Sequence, residues 1–244
     1  MYETCVFDLY GTLVDIRTNE EKIELWEKLS QFYSYYTAFY SPKELKGAYK
    51  RLTSTLSAGR EGVRRDAHEA FPEIKIEEVF RALFEEKGVE ADEPLVRHAG
   101  QFFRILSTEK LKVYDGTEEM LSALRAVGKK IYLLSNAQKI FTEYEMNALH
   151  ITPFFDGILL SSEHGCKKPD RCFFQSLINM YRIRPESAVM IGNDGICDIQ
   201  GAKAAGLAAL YVRTDISPNE ELPDADHVLE HMDMARITEI LTAD

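Results

Sequence analysis

The residue in this chain best placed to do chemistry is an aspartate at the end of a short apolar run. Cys5-Val6-Phe7 lead into Asp8, and Leu9-Tyr10-Gly11-Thr12 follow. An apolar run bounded by a turn signal reads as a buried strand of a parallel sheet. Open sheets of that kind bind ligands at the carboxyl ends of their strands. Asp8 is therefore set to be a nucleophile, a ligand for a hard cation, or both. The plain alternative is an aspartate that caps the following turn.

Three further segments have the same design. Ile131-Tyr132-Leu133-Leu134 is a second apolar run, ending in Ser135 and Asn136. A hydroxyl, an amide and the N–H groups of the next turn can bind an anion, although Ser and Asn are also good helix caps. Cys166-Lys167-Lys168-Pro169-Asp170 leads into a helical pattern from Arg171. Pro169 biases Lys168 away from helical angles, and a lysine held there is a point charge for phosphate or for a crowded carboxylate. Spacing alone does not decide which of the two lysines points inward. Finally, Ile191-Gly192-Asn193-Asp194 ends a strand, and Asp198 follows four residues later. Asp194 beside Asp8 would form an all-oxygen site suited to Mg²⁺. Asp198 would orient the loop or the lysine, or sit as a favourable charge at a helix start.

The elements that must position these residues alternate. Expected strands are Cys5–Leu9, Lys130–Leu134, Gly157–Leu160, Ala188–Ile191, Ala208–Val212 and His227–Leu229. Expected helices are Thr117–Val127, Ile140–Leu149, Arg171–Tyr181, Ile199–Ala205 and Met232–Thr242. Such alternation implies an α/β fold, a parallel sheet with helices on both faces. Residues 16–110 differ: they are charged, aromatic and helical in period. Ile23, Trp26, Leu29, Phe32 and Tyr33 mark one helix, Val79, Phe80, Leu83 and Phe84 another. Ser41-Pro42 with Glu44 reads as a helix start, and Ser57–Asp66 as a loop. This stretch is expected to be an insert of four or five helices. Half or more of Tyr33, Tyr35, Tyr36, Phe39 and Tyr40 are expected in its core.

The chain has 244 residues, 45% of them hydrophobic, and a net charge of −11. That balance offers no basic face for nucleic acid. No segment approaches the roughly 20 apolar residues of a membrane span, and no leader is visible at Met1-Tyr2-Glu3-Thr4. Four cysteines without zinc spacing fit a reducing, cytoplasmic setting.

Taken in order, an Asp after the first strand, a Ser after the second, Lys-Pro before a helix, and an acidic fourth loop resemble the haloacid dehalogenase-like (HAD) superfamily. The resemblance implies a Rossmann-like core from residues 1–15 and 111–244, with a helical C1 cap of residues 16–110 inserted after the first strand. It implies that Asp8 is a covalent nucleophile and that Asp8, the Tyr10 carbonyl and Asp194 hold Mg²⁺. Ser135 and Lys168 would bind the transferring phosphoryl group, with Gly11, Thr12 and Asn136 around it. Asn193 and Asp198 would support the loop. The substrate would be a small anionic metabolite reached under a closing cap.

One position departs from the phosphatases of the superfamily. They carry an acid two residues after the nucleophile, and Tyr10 stands there. A missing general acid costs about 10²–10⁴ in rate. The run Asp8-x-Tyr10-Gly11-Thr12 is similar to that of the metal-independent 2-haloacid dehalogenases, whose halide leaves without a proton. Those enzymes use a cap arginine some thirty residues on, whereas this chain has none between Arg17 and Arg51. They also lack the Asp194–Asp198 pair. The expected function is thus a Mg²⁺-dependent phosphatase acting on a phosphate ester or acyl phosphate, with a dehalogenase as the alternative. A cap lysine (Lys43, Lys46 or Lys50) serving phosphonatase chemistry, and a non-catalytic partner-binding cap, are further alternatives.

Overall fold

The structure is a computed structural model describing residues 2–61, 73–218 and 221–243. The strand β1 (Thr4–Phe7) is followed by a short β2 (Val14–Thr18). Four helices come next: α1 (Ile23–Tyr35), α2 (Pro42–Glu61), α3 (Ile76–Glu85) and α4 (Glu93–Ser107). The chain returns through β3 (Thr108–Val113) and then alternates: α5 (Thr117–Ala126), β4 (Lys130–Ser135), α6 (Lys139–Ala148), β5 (Gly157–Leu160) and α7 (Ser161–His164). It ends with α8 (Arg171–Tyr181), β6 (Ala188–Gly192), α9 (Gly201–Ala204), β7 (Ala208–Val212), β8 (His227–Leu229) and α10 (Met234–Thr242).

Six strands form one parallel sheet in the order β5-β4-β1-β6-β7-β8. The two-residue alternation of a strand sorts its side chains onto two faces. Cys5, Phe7, Leu133, Ile191 and Leu210 pack with Met120 and Leu124 of α5 and with Ile237 and Leu241 of α10. Val6, Leu134, Met190 and Tyr211 face the other way, against Phe173, Phe174 and Leu177 of α8. Both faces are covered, so the central strands read as unbroken apolar runs. From β1 the sheet extends to β4 and β5 on one side and to β6, β7 and β8 on the other. The carboxyl end of β1 is therefore a topological switch point.

The helices α1–α4 enclose a separate apolar cluster that includes Trp26, Leu29, Tyr33, Tyr49, Phe80, Phe84 and Phe103. Ile140 of α6 joins it. A Cβ on Gly100 would lie 2.5 Å from Ile140 Cδ1, so glycine allows α4 to approach α6 closely. At Ser41, the Glu44 carboxylate accepts from both the backbone N–H (2.8 Å) and the hydroxyl (2.7 Å), a reciprocal cap.

Several expectations need correction. The helix α2 continues to Glu61, so residues 57–61 are helical; the rest of the expected loop lies outside the described residues. β2 and β3 form an antiparallel pair that was not expected. The predicted Ile199 helix starts earlier, as a π-helical turn at Gly195–Gln200. Of the five crowded aromatics only Tyr33 and Tyr40 are core; Tyr35 and Phe39 are 84% and 66% exposed, and Tyr36 is also exposed. Among the described residues no helix is long and apolar enough to cross a membrane.

Candidate active site

Parallel pairing brings the four sequence segments to one edge of the sheet. Phe7 is in register with Leu133 and Ile191, so Asp8, Ser135 and Asn193-Asp194 emerge side by side. The Asp8 N–H donates to Ile191 O at 2.9 Å, fixing the turn to β6. A cavity of about 210 Å³ opens there, lined by Asp8, Tyr10, Ser135, Lys168, Asp194 and Asp198, with Asn136, Asn193, Cys197, Ile216 and Pro218 around them.

Lys168 is the inward lysine, only 2% exposed. Its ammonium donates to Asp8 Oδ1 at 2.7 Å and to Asp198 Oδ1 at 2.6 Å. The Asn136 amide clamps the Lys168 backbone from both sides, accepting from its N–H (2.7 Å) and donating to its carbonyl (2.9 Å). The amide is thus spent on the lysine. Asp198 is 1% exposed, and its second oxygen accepts from the Asp194 N–H at 2.9 Å. Burial and the charge of Asp8 push the Asp198 carboxyl upward, and Lys168 offsets only part of this. Gly192 is required by space: a Cβ would meet Asp198 Oδ2 at 2.2 Å.

Asp194 Oδ1 caps the following turn, accepting from Ile196 N (2.9 Å) and Cys197 N (2.7 Å). Asp8 uses only Oδ1 for Lys168, so both carboxylates keep an oxygen outside these bonds. Leu9 O and Gly11 O accept from protein donors, while Tyr10 O has none among the described residues. Asp8 and Asp194, each with an oxygen to spare, in one cavity with a single ammonium suit a hard divalent cation, because the acids there outnumber the one lysine. Among the described residues no group of three His, Cys, Asp or Glu side chains forms a metal cage. Ser135 is 1% exposed and lines the same cavity.

Other predicted residues play supporting parts. Thr12 is fully buried and donates to Asn193 Oδ1 at 3.3 Å. Gly11 has φ +86° and its missing Cβ would strike Asn193 Nδ2 at 2.6 Å, so only glycine fits this turn. Neither residue lines the cavity.

A profile of the haloacid dehalogenase-like hydrolase family matches residues 2–206. The chain belongs to this family. It is 29% identical over 161 residues to a phosphoserine phosphatase of Thermus thermophilus, covering 66% of this chain and 63% of that protein. It is 31% identical over 118 residues to a glyceraldehyde 3-phosphate phosphatase of Methanothermobacter thermautotrophicus, covering 48% of this chain and 50% of that one. Among solved structures, the magnesium-bound HAD hydrolase YfnB of Bacillus subtilis superposes with TM-score 0.56 at 22% identity, covering 99% of both chains. A 2-haloacid dehalogenase of Pseudomonas syringae does so with TM-score 0.64 at 19% identity, covering 99% of this chain and 98% of that one. These likenesses establish the family fold and leave the choice of chemistry to the site.

The sequence reading missed a second cluster. The Tyr10 hydroxyl donates to Glu145 Oε2 in α6 and lies 3.0 Å from Thr142 Oγ1. Glu145 also accepts from Arg104 in α4, Nε to Oε1 at 2.5 Å and the guanidinium end to Oε2 at 3.2 Å. Burial and the Glu145 charge raise the Tyr10 pKa. The spacing Gly100–Arg104, one helical turn on the α4 face toward α6, was the signal available. The candidate cap lysines Lys46 and Lys50 pair with Glu21 at the surface, at 2.7 and 2.8 Å. No described residue of α1–α4 lines the Asp8 cavity, so the expected cap contribution is absent from this arrangement.

Proposed function

We propose that this hydrolase is a Mg²⁺-dependent phosphatase with Asp8 as its nucleophile, acting on a small phosphate ester or acyl phosphate. In this reading residues 1–15 and 111–244 are the catalytic unit and residues 16–110 its helical cap. The observation that carries the reading is the surplus negative charge: Asp8 and Asp198 share one ammonium, Lys168, and Asp194 lines the same cavity. A dehalogenase has no use for that surplus, whereas a divalent-cation site requires it. The phosphatase names of the relatives agree with it.

Asp8, Asp194 and the Tyr10 carbonyl would hold Mg²⁺, which when bound neutralises charge on the phosphoryl group. An Asp8 carboxylate oxygen attacks phosphorus. An acyl–phosphate bond forms, and the ester or anhydride P–O bond breaks with its electron pair on the leaving group. Lys168 holds the nucleophile in place and, with Ser135, offsets charge on the transferring oxygens. Water then attacks phosphorus, the bond to Asp8 breaks, and inorganic phosphate leaves. Asp198 fixes Lys168 and the Asp194 N–H.

The Tyr10 hydroxyl is committed to Glu145, so it supplies no proton to the leaving group. Substrates whose leaving group departs as a stable anion should therefore be favoured, acyl phosphates over sugar phosphates. Tyr10 is also the one feature that favours the dehalogenase alternative, in which the halide needs no proton.

The test is phosphate release from acetyl phosphate, p-nitrophenyl phosphate and sugar phosphates, with Mg²⁺ or EDTA, alongside chloride release from 2-chloropropionate. The expected result is Mg²⁺-dependent phosphate release, fastest from acetyl phosphate. EDTA-resistant chloride release without phosphate release would sink the reading in favour of dehalogenation.

A further inference from the structure

Arg104, Glu145 and Tyr10 form a buried cluster that takes no direct part in the chemistry above. Arg104 belongs to α4, Glu145 to α6, and Tyr10 is two residues from Asp8. The guanidinium and carboxylate are 18% and 9% exposed as side chains. Arg104 also lies over the rings of Phe141 (5.1 Å) and Tyr10 (5.7 Å). The guanidinium and the carboxylate pair one to one, and the phenol supplies a further donor to the same carboxylate. It pins the Tyr10 side chain, and the main-chain carbonyl of the same residue is the one left without a donor.

We propose that Glu145 and Arg104 are positioning residues: they fix Tyr10 beside Asp8, set the position of its carbonyl, and thereby tie the docking of α4 on α6 to the affinity for a divalent cation. This inference rests on the cation site proposed above. A residue that orients a metal ligand from behind contributes about 10–100-fold to affinity. Tyr10→Phe removes the tether and leaves the Arg104–Glu145 pair intact, so its fold is spared. Glu145→Gln keeps the shape and removes the charge.

The experiment is Mn²⁺ binding to the full chain, followed by the loss of the free-ion electron paramagnetic resonance signal, for the wild type and both variants. Circular dichroism and Mg²⁺ titration of phosphatase activity accompany it. The expected result is Mn²⁺ binding weakened by about 10-fold in both variants. The Mg²⁺ needed for half-activation should rise in parallel, while kcat of Glu145→Gln at saturating Mg²⁺ stays within about 3-fold. Wild-type binding unchanged by Tyr10→Phe and Glu145→Gln would overturn the inference alone. A wild type that binds no Mn²⁺ would overturn the cation site itself, and the inference with it.

Discussion

Two buried ionic clusters meet the segment Asp8–Tyr10, and they follow opposite rules. Around Lys168, two carboxylates share one ammonium at 2.7 and 2.6 Å, with Asp194 close by. Around Arg104, one carboxylate is matched by one guanidinium and completed by a phenol. The first is short of positive charge and open to a cavity. The second is paired one to one, although Arg104 and Glu145 also line a separate cavity of about 420 Å³. Burying a charge is costly unless it is paired, so an uncompensated cluster persists only where a ligand completes it. On the function proposed above, the first cluster is the site of chemistry and the second the joint between α4 and that site.

Neutralising one acid of the unbalanced cluster should abolish function and leave the fold intact or firmer. Asp8→Asn keeps an oxygen for Lys168 and removes the repulsion with Asp198. Phosphatase activity should fall by about 10⁴-fold or more. Thermal unfolding of the metal-free protein should rise by about 2–4 °C for each kcal/mol of relief. A lower unfolding temperature would break the comparison.

Opening the balanced cluster should do the reverse. Glu145→Ala leaves Arg104 buried without its partner, and urea unfolding should show a loss of about 3–5 kcal/mol. Taking the lone cation from the catalytic cluster falls next in size. Lys168→Met should lower kcat by about 10²–10³, read in steady-state assays at saturating Mg²⁺.

A surface trio gives the smallest effect and a control. Lys75 and Lys139 donate to Glu163 from α3's start and from α6, at 2.9 and 3.4 Å, and Lys75 foremost holds the Glu163 carboxyl below its usual range. A depressed carboxylate stabilises the fold above its unfolded pKa and loses that contribution as pH falls through the folded value. Both partners are more than a third exposed, so Glu163→Gln should cost under about 1 kcal/mol at pH 7. The gap from wild type should close below about pH 4, measured by urea unfolding across the acid range.

Much of the unbalanced cluster was legible in the sequence because Asp8, Ser135 and Asp194 follow apolar strands, Lys168 precedes a proline, and Asp198 lies four residues past Asp194. Local pattern fixes the ends of parallel strands, and parallel pairing then brings the ends together. Asp8, Ser135, Lys168, Asp194 and Asp198 were found that way and do line one cavity. The paired cluster left only a faint trace, the Gly100–Arg104 spacing. The sequence reading did not single out Arg104 or Glu145, and their burial arises from tertiary packing between residues 41 apart in sequence. The β2–β3 pair was missed for a similar reason: Thr108–Val113 is half charged, and its partner lies some ninety residues earlier. Crowding of aromatics misled in the opposite direction, since Tyr35 and Phe39 share a stretch with Tyr33 and still face solvent.

The central claim is that Asp8 becomes covalently phosphorylated. The most direct test is acid quench of a single turnover of acetyl phosphate with Mg²⁺, borohydride reduction, and peptide mass spectrometry. The account predicts homoserine at position 8, lost with EDTA and in Lys168→Met much reduced. Phosphate release at full rate with an unmodified Asp8 at every quench time, or an Asp8→Asn variant that still turns over, would contradict it.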